Sequence, residues 1–375
     1  MGGLRRVLPA GPSRGVRGSE RKQQIFGGGR WRVVRTGTPL EGSVGCGSSC
    51  EQLVGGAVQR SIESSRPQAP RFPSEVKVRR TRVGVHFFDV ATGLNVLLDE
   101  VSVDPQDWDQ APRQVSVALT NSCDLACPYC YAPKLKARLD ATRVVGWMRE
   151  LDDNGCLSVG FGGGEPTLFP GFPSLCSGVA SQTGLAVTFT THGHRLTAGL
   201  CDELRGSVQF VRVSMDGVGA TYERLRGRPF AILLERLANV RRIAPFGINF
   251  VVNSETIDDL DDAVELAVKV GASEFLLLPE QPTVQRAGID EATSTRLREW
   301  VRDNDPALRL TVSTAGADGL PVCVPLTGEL PSEAYAHVDA QGVLKWSSYG
   351  SEGVTLDDDG LMAALHKLRE RGGMA

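Results

Sequence analysis

The chain has 375 residues, enough for one large α/β domain with small appendages, and its net charge of −3 gives no electrostatic signature of nucleic-acid or membrane binding. No run of 18 or more apolar residues occurs, and the basic first residues lack the apolar core of a signal peptide, so we expect a cytoplasmic protein. Nine cysteines, three of them packed into one short stretch, favour metal or cluster ligation over a disulfide framework.

Residues 1–75 are predicted to be a separate, disordered segment. Gly, Arg, Ser and Pro dominate there, and no apolar period is sustained, so the segment has little surface to bury. Its early arginines leave contact with RNA or acidic partners open, although a solvated tail is the simpler interpretation. Cys46 and Cys50 form a C-x3-C pair without a third or fourth ligand nearby.

A β-hairpin is predicted within residues 76–112. Two apolar runs, 83–89 and 94–99, flank a turn at Gly93. A cap on the lower end of the domain that follows is the simplest role for this hairpin. Strand addition by a partner is the alternative.

Residues 113–325 alternate short apolar runs with segments of helical period. Strands are predicted at 115–120, 157–162, 185–191, 208–214, 247–252, 274–278 and 309–314. Helices are predicted near 139–152, 173–183, 196–205, 229–243, 257–270 and 291–303. Six or more such units indicate a parallel sheet covered by helices. Periodicity does not separate a doubly wound sheet from a full or partial (β/α) barrel.

Residues 326–375 form a short C-terminal unit in this interpretation. A hairpin is predicted over 336–346 with its turn at Gln341-Gly342, followed by an amphipathic helix over 359–371.

The most informative stretch is a C-x3-C-x2-C group, Cys123, Cys127 and Cys130, directly after the strand at 115–120. Structural zinc sites usually need four protein ligands, and only three are close here. A [4Fe-4S] cluster on three cysteines would leave one iron open to another ligand. A zinc site completed from afar and buried structural thiols are the alternatives.

The remaining cysteines stand singly and are interpreted as small core residues. They are Cys156, Cys176, Cys201 and Cys323.

The stretch from Cys123 to Tyr131 resembles the radical S-adenosylmethionine (SAM) signature C-x3-C-x-aromatic-C, with Tyr129 as the aromatic residue. Residues 163–166 resemble the GGEP motif of that family, after the second strand. Residues 190–193 resemble the end of the third strand in the molybdopterin-cyclase and peptide-maturase branch, with His192 in place of the usual Asn.

Two later motifs follow in the same order as in that branch. Residues 213–217 resemble its S-x-D-G motif, and Arg226-Gly227 resembles the RG that comes next. The resemblance spans about 113–325 and implies a partial (β/α)6 barrel of the radical SAM type, with catalysis at the carboxyl ends of its strands.

The resemblance also implies a role for each matching residue. Cys123, Cys127 and Cys130 would ligate one [4Fe-4S] cluster, whose open iron would bind SAM. The SAM site would then be formed by Tyr129 at the adenine, Gly163, Gly164, Glu165 and Pro166 at the methionine amino end, Ser214 at the methionine or ribose, and Arg226 or Arg228 at the carboxylate.

His192 and Glu280 are the candidate catalytic residues, since both stand where predicted strands end. His194 and Asn253 have similar positions. The alternative is that the histidines are surface or satisfied core residues, and that Asn253 and Glu280 are caps.

The implied reaction is reductive cleavage of SAM to a 5′-deoxyadenosyl radical, which removes a hydrogen atom from a peptide or a small metabolite. A reductant such as flavodoxin or ferredoxin would supply the electron. An iron-sulfur regulatory or electron-transfer protein on the same fold is the main alternative, and a zinc-binding interaction module is a third.

The chain departs from the branch near its end. Many members hold auxiliary clusters in a cysteine-rich extension, whereas Trp346, Ser347 and Ser348 stand here where a cysteine is expected. We therefore predict no complete auxiliary cluster and a degenerate extension.

Overall fold

A computed structural model describes residues 4–7, 31–35, 76–133, 135–323, 326 and 328–372. In chain order the strands are β1 (Leu4–Val7), β2 (Trp31–Arg35), β3 (Val76–Thr81), β4 (Gly84–Asp89), β5 (Leu94–Leu98), β6 (Gln114–Thr120), β7 (Ser158–Gly163), β8 (Ala186–Thr191), β9 (Phe210–Ser214), β10 (Phe246–Val252), β11 (Glu274–Pro279), β12 (Arg309–Ser313), β13 (Val322–Cys323), β14 (Tyr335–Val338), β15 (Val343–Lys345) and β16 (Val354–Thr355).

The helices alternate with the central strands. They are α1 (Ala141–Asp153), α2 (Phe172–Gln182), α3 (Ala198–Leu204), α4 (Ala220–Arg226), α5 (Phe230–Val240), α6 (Leu260–Lys269), α7 (Glu291–Asp303), α8 (Pro331–Ala334) and α9 (Gly360–Gly372). Short 3-10 turns cover Pro105–Asp107, Pro166–Leu168 and Ile257–Asp259.

Strands β6 to β12 lie side by side in sequence order, and each pair of neighbours is parallel. The two ends of this run do not pair with each other within the described residues: β14 lies beside β6, and β1 lies beside β12. The sheet is therefore an open, partial barrel. This confirms the predicted α/β class and resolves the choice that periodicity had left open.

The alternation of side chains in β6 explains how this sheet is covered. Val115, Val117 and Leu119 are almost fully buried and belong to the core shared with the surrounding helices. The intervening Gln114 and Ser116 point to the other face and line a cavity inside the barrel. A strand with an apolar outer face and a polar inner face positions a site in the barrel interior.

The outer helices begin and end at residues suited to caps. Asp140 accepts a hydrogen bond from the backbone N–H of Arg143 at the start of α1, at 2.9 Å. Gly227 follows α4 with φ of +65°, a conformation that favours glycine. These caps fix the loops at the carboxyl ends of the strands.

A second sheet, in the order β2-β5-β4-β3, covers the amino ends of the barrel strands. Phe88 of β4 packs against Leu157 and Ala186, which lie at the starts of β7 and β8. Lys77 of β3 forms an ion pair with Asp152 at the end of α1. The hairpin predicted around Gly93 is present as β4 and β5, and these contacts place it at the lower end of the barrel.

Several elements were not predicted from the sequence. Strands β1 and β2 fall in the segment that was predicted to be disordered. Both are short and owe their conformation to pairing with distant strands, β12 and β5. The rest of residues 1–75 lies outside the described residues.

The C-terminal unit contains the predicted hairpin and helix. Strands β14 and β15 are antiparallel, and Gly342 adopts φ of +79° in the turn between them. Helix α9 is tied to α1 by Glu150, whose carboxylate accepts the backbone N–H groups of Leu361 and Met362. The parallel pairing of β14 with β6 was not predicted, because register between strands so distant in sequence has no local signal.

Candidate active site

One cavity occupies the barrel interior and opens at the carboxyl ends of the parallel strands. It encloses about 1370 Å³ when the space open to solvent is included. The predicted site residues that line it are Cys123, Cys127, Tyr129, Cys130, Gly163, Gly164, His192, Ser214, Arg226 and Glu280. Five different strands or their following loops therefore bring these residues to one place.

The three cysteines lie on the loop after β6 and carry free thiols. Cys123 is exposed, while Cys127 and Cys130 are half-buried. Partial burial raises the pKa of Cys123 to about 11 and also raises the pKa of Cys127. The thiols of Cys123 and Cys127 are thus protonated in the absence of a metal, and binding of a metal centre would release their protons.

The glycines after β7 are required by the cysteine loop. A Cβ on Gly163 would lie 2.2 Å from the carbonyl oxygen of Thr120, and one on Gly164 would lie 2.3 Å from that of Ser122. Gly164 also donates its N–H to Thr120 at 2.6 Å. The contact that excludes a side chain at these two glycines is thus with the cysteine loop of the protein itself. Gly162, by contrast, faces open space.

Glu165 is fully buried and ties the glycine turn to the end of β8. One carboxylate oxygen accepts hydrogen bonds from Thr167 (N–H and hydroxyl) and from the Thr191 hydroxyl. The other accepts the backbone N–H of His192 at 2.9 Å. Pro166 begins the short 3-10 turn that follows and is buried. Glu165 does not line the cavity itself, but it fixes the positions of the residues that do.

His192 is buried and bonded to the cysteine loop. Its Nε2 lies 2.8 Å from Oδ1 of Asp124, the residue after Cys123. Arg228 holds the same aspartate through its backbone oxygen at 3.2 Å and Oδ2 at 3.4 Å. Cys123, Asp124 and His192 bring possible metal-ligating atoms within 4.8 Å of one another. The hydrogen bond between His192 and Asp124 accounts for that proximity.

Asp216 is the centre of a buried network that the sequence did not single out. It accepts a hydrogen bond from the Tyr129 hydroxyl at 2.6 Å, forms an ion pair with Arg226, and accepts the backbone N–H of Val251 at 2.7 Å. Burial alone would lower the pKa of Arg226, but the Asp216 carboxylate raises it well above its ordinary value. Arg226 also donates to the sulfur of Cys127 at 3.5 Å.

Glu280 lies at the opposite side of the cavity and is fully engaged. It accepts a hydrogen bond from Asn253 at 2.6 Å and forms an ion pair with Arg286, also at 2.6 Å. The Asn253 side-chain oxygen accepts the backbone N–H groups of Glu255 and Thr256, as a cap would. Both interpretations of these strand-end residues therefore apply: Asn253 is a cap, and Glu280 lines the cavity.

The wall formed by β14 and its neighbours was not predicted. The Ser116 hydroxyl lies 2.7 Å from the Tyr335 hydroxyl and 2.6 Å from His337 Nδ1. Tyr131, directly after the cysteine group, packs against Tyr349 in a tilted arrangement with ring centroids 4.8 Å apart. These residues face the cavity, and only the position of Tyr131 beside Cys130 offered a sequence signal.

Some candidates lie elsewhere. Arg228 is exposed and does not line the cavity, so of these two candidate arginines Arg226 is the one that faces it. Cys156, Cys176 and Cys201 are buried in the core, as interpreted from the sequence. Cys46 and Cys50 lie outside the described residues, as does the side chain of Cys323.

Comparison with known families identifies the class of this domain. Residues 117–267 match the model of the Radical SAM superfamily. That segment is therefore similar to radical SAM domains, a class that uses a [4Fe-4S] cluster and SAM. The matched segment runs from β6 to α6 and includes all three cysteines and the glycine turn.

Curated relatives match about half of the chain. The chain is 32% identical over 179 residues to the PqqA peptide cyclase of Ruegeria pomeroyi, covering 45% of this chain and 47% of that protein. It is 28% identical over 202 residues to the AdoMet-dependent heme synthase of Methanosarcina barkeri, covering 51% and 58%. The chain thus spans about half the length of the curated relatives it matches.

Solved structures share the fold over a larger part of the chain. Streptococcus suis SuiB, bound to the precursor peptide SuiA, superposes with a TM-score of 0.66 at 14% identity, covering 80% of this chain and 89% of that one.

None of the described helices is long and apolar enough to cross a bilayer.

Proposed function

We propose that this protein is a radical SAM enzyme that modifies a peptide. In this proposal Cys123, Cys127 and Cys130 hold one [4Fe-4S] cluster, and SAM binds beside it in the cavity. The observation that carries the proposal is that the three thiols and the glycine turn after β7 line one cavity at the carboxyl ends of parallel strands. When bound, the cluster and SAM would supply reductive cleavage of the C5′–S bond and abstraction of a substrate hydrogen atom.

The chain's own residues would bind and orient these groups. Tyr129 and Ser214 line the same cavity as the cysteines, and we propose that they bind the adenosine and methionine parts of SAM. Gly163 to Pro166 form a turn that Glu165 holds in place through its hydrogen bonds, and we propose that this turn binds the methionine amino end of SAM. Arg226 faces the cavity with its position fixed by Asp216, so it is placed at the SAM carboxylate.

The two candidate catalytic residues receive different roles. His192 is bonded to Asp124 and turned toward the cysteine loop, so we propose that it positions that loop. Glu280 lies across the cavity from β6 and β7, so we place it on the substrate side. Closure of the strand ends around the substrate would keep water away from the reacting atoms.

A peptide is the favoured substrate because the names of the relatives refer to peptides. The Ruegeria relative is a peptide cyclase, and the SuiB structure contains a precursor peptide. The heme synthase relative supports a small-molecule substrate as the second possibility. A reductant such as flavodoxin or ferredoxin would supply the electron.

Anaerobic reconstitution with iron and sulfide tests this proposal. We expect about four irons per chain, and 5′-deoxyadenosine on reduction in the presence of SAM. Cys127→Ala should abolish both signals, while the matched control Cys176→Ala, a buried core cysteine, should keep both. Product formation with peptides encoded next to the gene would then test the substrate class.

Each contrary result points to a specific alternative. A cluster without SAM cleavage would favour an iron-sulfur regulatory or electron-transfer protein. Zinc in place of iron would favour an interaction module. Cleavage that survives Cys127→Ala would contradict the assignment of the three ligands.

A further inference from the structure

The inner part of the cavity contains a charged group that the proposed cofactor site does not use. Arg212 of β9 lines the cavity, two residues before Ser214, which ends the strand. Two residues along a strand correspond to about 7 Å. Arg212 therefore lies deeper in the barrel than the layer assigned to SAM.

Arg212 shares its counter-ion with a second arginine. Its Nη1 lies 2.5 Å from Oε1 of Glu274, and the other oxygen of Glu274 is paired with Arg309. Glu274 is 1% exposed, and although burial raises its pKa, the two arginines lower it overall. A single carboxylate is thus divided between two guanidinium groups.

Among the described residues, each of the other charged side chains that line the cavity has an ion-pair partner of opposite charge. Arg226 has Asp216 as its partner, and Glu280 has Arg286. Arg212 forms an ion pair with Glu274, packs its guanidinium over the Phe210 ring at 5.2 Å, and has five N–H donors in all. Donors of Arg212 are therefore available to a further acceptor.

Among the described residues, part of the wall near Arg212 carries no large side chain. Its neighbours across the sheet are Thr190 on β8 and Gly247 on β10, and the space beside Gly247 is filled by Phe210 and Glu274. Gly160 and Gly162 of β7 also face the interior and contribute no side chains. Polar groups line the same space, among them Gln114, Ser116, Thr188, Asn249 and His337.

We propose that Arg212 binds a carboxylate group of the substrate, and that the enzyme therefore acts on a carboxylate-bearing residue or metabolite. A carboxylate there would accept the remaining guanidinium donors and supply the negative charge that Glu274 divides between two cations. In a peptide the group would be the side chain of Asp or Glu. This inference rests on the proposed function, because it concerns the substrate of the same cavity.

Binding of small probes to the SAM-loaded holoprotein tests the inference without turnover. Calorimetry under anaerobic conditions compares N-acetyl-glutamate N-methylamide with the glutamine analogue, which has the same length and no charge. We expect the acid to bind about tenfold or more tightly. Glutarate serves as a second probe: tighter binding of the capped glutamate supports a peptide side chain, and tighter binding of glutarate supports a small acid.

Arg212→Gln should remove the preference for the acid, whereas Arg205→Gln, at an exposed arginine outside the cavity, should retain it. Because Arg212→Gln leaves Glu274 without one partner, the double variant Arg212→Gln/Glu274→Gln is measured as well. Equal affinity of the wild type for acid and amide, or a preference that survives both variants, would overturn the inference. Failure of the wild type to cleave SAM would instead refute the proposed function, and it is measured separately.

Discussion

The hydroxyl of Tyr129 donates a hydrogen bond to Oδ2 of Asp216, although the two residues are 87 positions apart. Tyr129 lies between Cys127 and Cys130, whereas Asp216 follows the fourth strand of the barrel. The bond therefore connects the cysteine loop directly to the far side of the cavity. Arg226 joins the same carboxylate, so one buried group holds an aromatic ring and a cation in place.

Replacing Asp216 by Asn should destabilise the apoprotein by about 3–5 kcal/mol, because it leaves the buried Arg226 without its counter-ion. Urea unfolding measures this change. Tyr129→Phe, which removes only the hydroxyl, serves as the matched comparison and should cost about 1 kcal/mol. Similar losses for the two variants would show that the ion pair is not the dominant interaction.

Gly164→Ala should displace the cysteine loop, because its Cβ would lie 2.3 Å from the Ser122 carbonyl oxygen. We expect a loss of about 1–3 kcal/mol in stability and a reduced iron content after reconstitution. Gly162→Ala adds the same methyl group two residues earlier, where it meets nothing within 4 Å. If both variants bind iron equally well, the glycine turn does not determine the geometry of the loop.

Glu165→Gln should weaken the site even though it keeps the shape of the side chain. The carboxylate accepts hydrogen bonds from Thr167, Thr191 and His192, and an amide would turn an NH2 group toward one of these donors. A loss of about 1–3 kcal/mol is expected from thermal or urea unfolding. Thr167→Val removes only the hydroxyl contact and retains both the backbone N–H of residue 167 and the carboxylate, so its smaller loss provides the control.

Acid should destabilise the fold through His337. Burial, assisted by the charge of Lys345, lowers the pKa of His337 from its ordinary 6.5 to about 3. The unfolded chain therefore takes up the proton first, and the stability contributed by neutral His337 is lost as the pH falls from about 6.5 toward 3, by about 1.4 kcal/mol per pH unit. His337→Gln should reduce the slope of the unfolding free energy against pH by the amount that corresponds to one proton.

Urea titrations at pH 7 and pH 5 measure that dependence. His366→Gln provides the control, because His366 is exposed. It should leave the dependence unchanged. His86 has a similarly low pKa of about 3 because of burial, so the His337 variant should retain part of the slope. A His337→Gln protein with the wild-type slope would contradict the expected burial of a neutral imidazole.

Local patterns predicted the repeating part of the fold. Runs such as 247–252 and helical segments such as 257–270 carry their own periodicity, and the structure has β10 and α6 there. The same is true of the hairpin at Gly93. Strands β1 and β2 and the pairing of β14 with β6 were missed, because each depends on a partner far away in the sequence, which no local pattern records.

In the candidate site, too, residues with a local sequence pattern were found and residues that depend on distant partners were not. The cysteines and the glycine turn were found because spacing and composition mark them. Asp216 was recognised only as part of the S-x-D-G motif, and its burial became apparent only from the folded arrangement. Arg212 and His337 carry no motif, and only the alternation of strands that face one cavity brings them together.

The pairing of β14 with β6 has a consequence for how the chain is made. Ser116 and Tyr335 bond across this pair although 219 positions separate them. During synthesis, the free edge of β6 must wait for almost the whole domain to emerge before its partner arrives. Unpaired edges are prone to aggregate, and contacts of such long range form slowly. Ribosome-bound intermediates of this protein should therefore depend on chaperones until the C-terminal hairpin is complete.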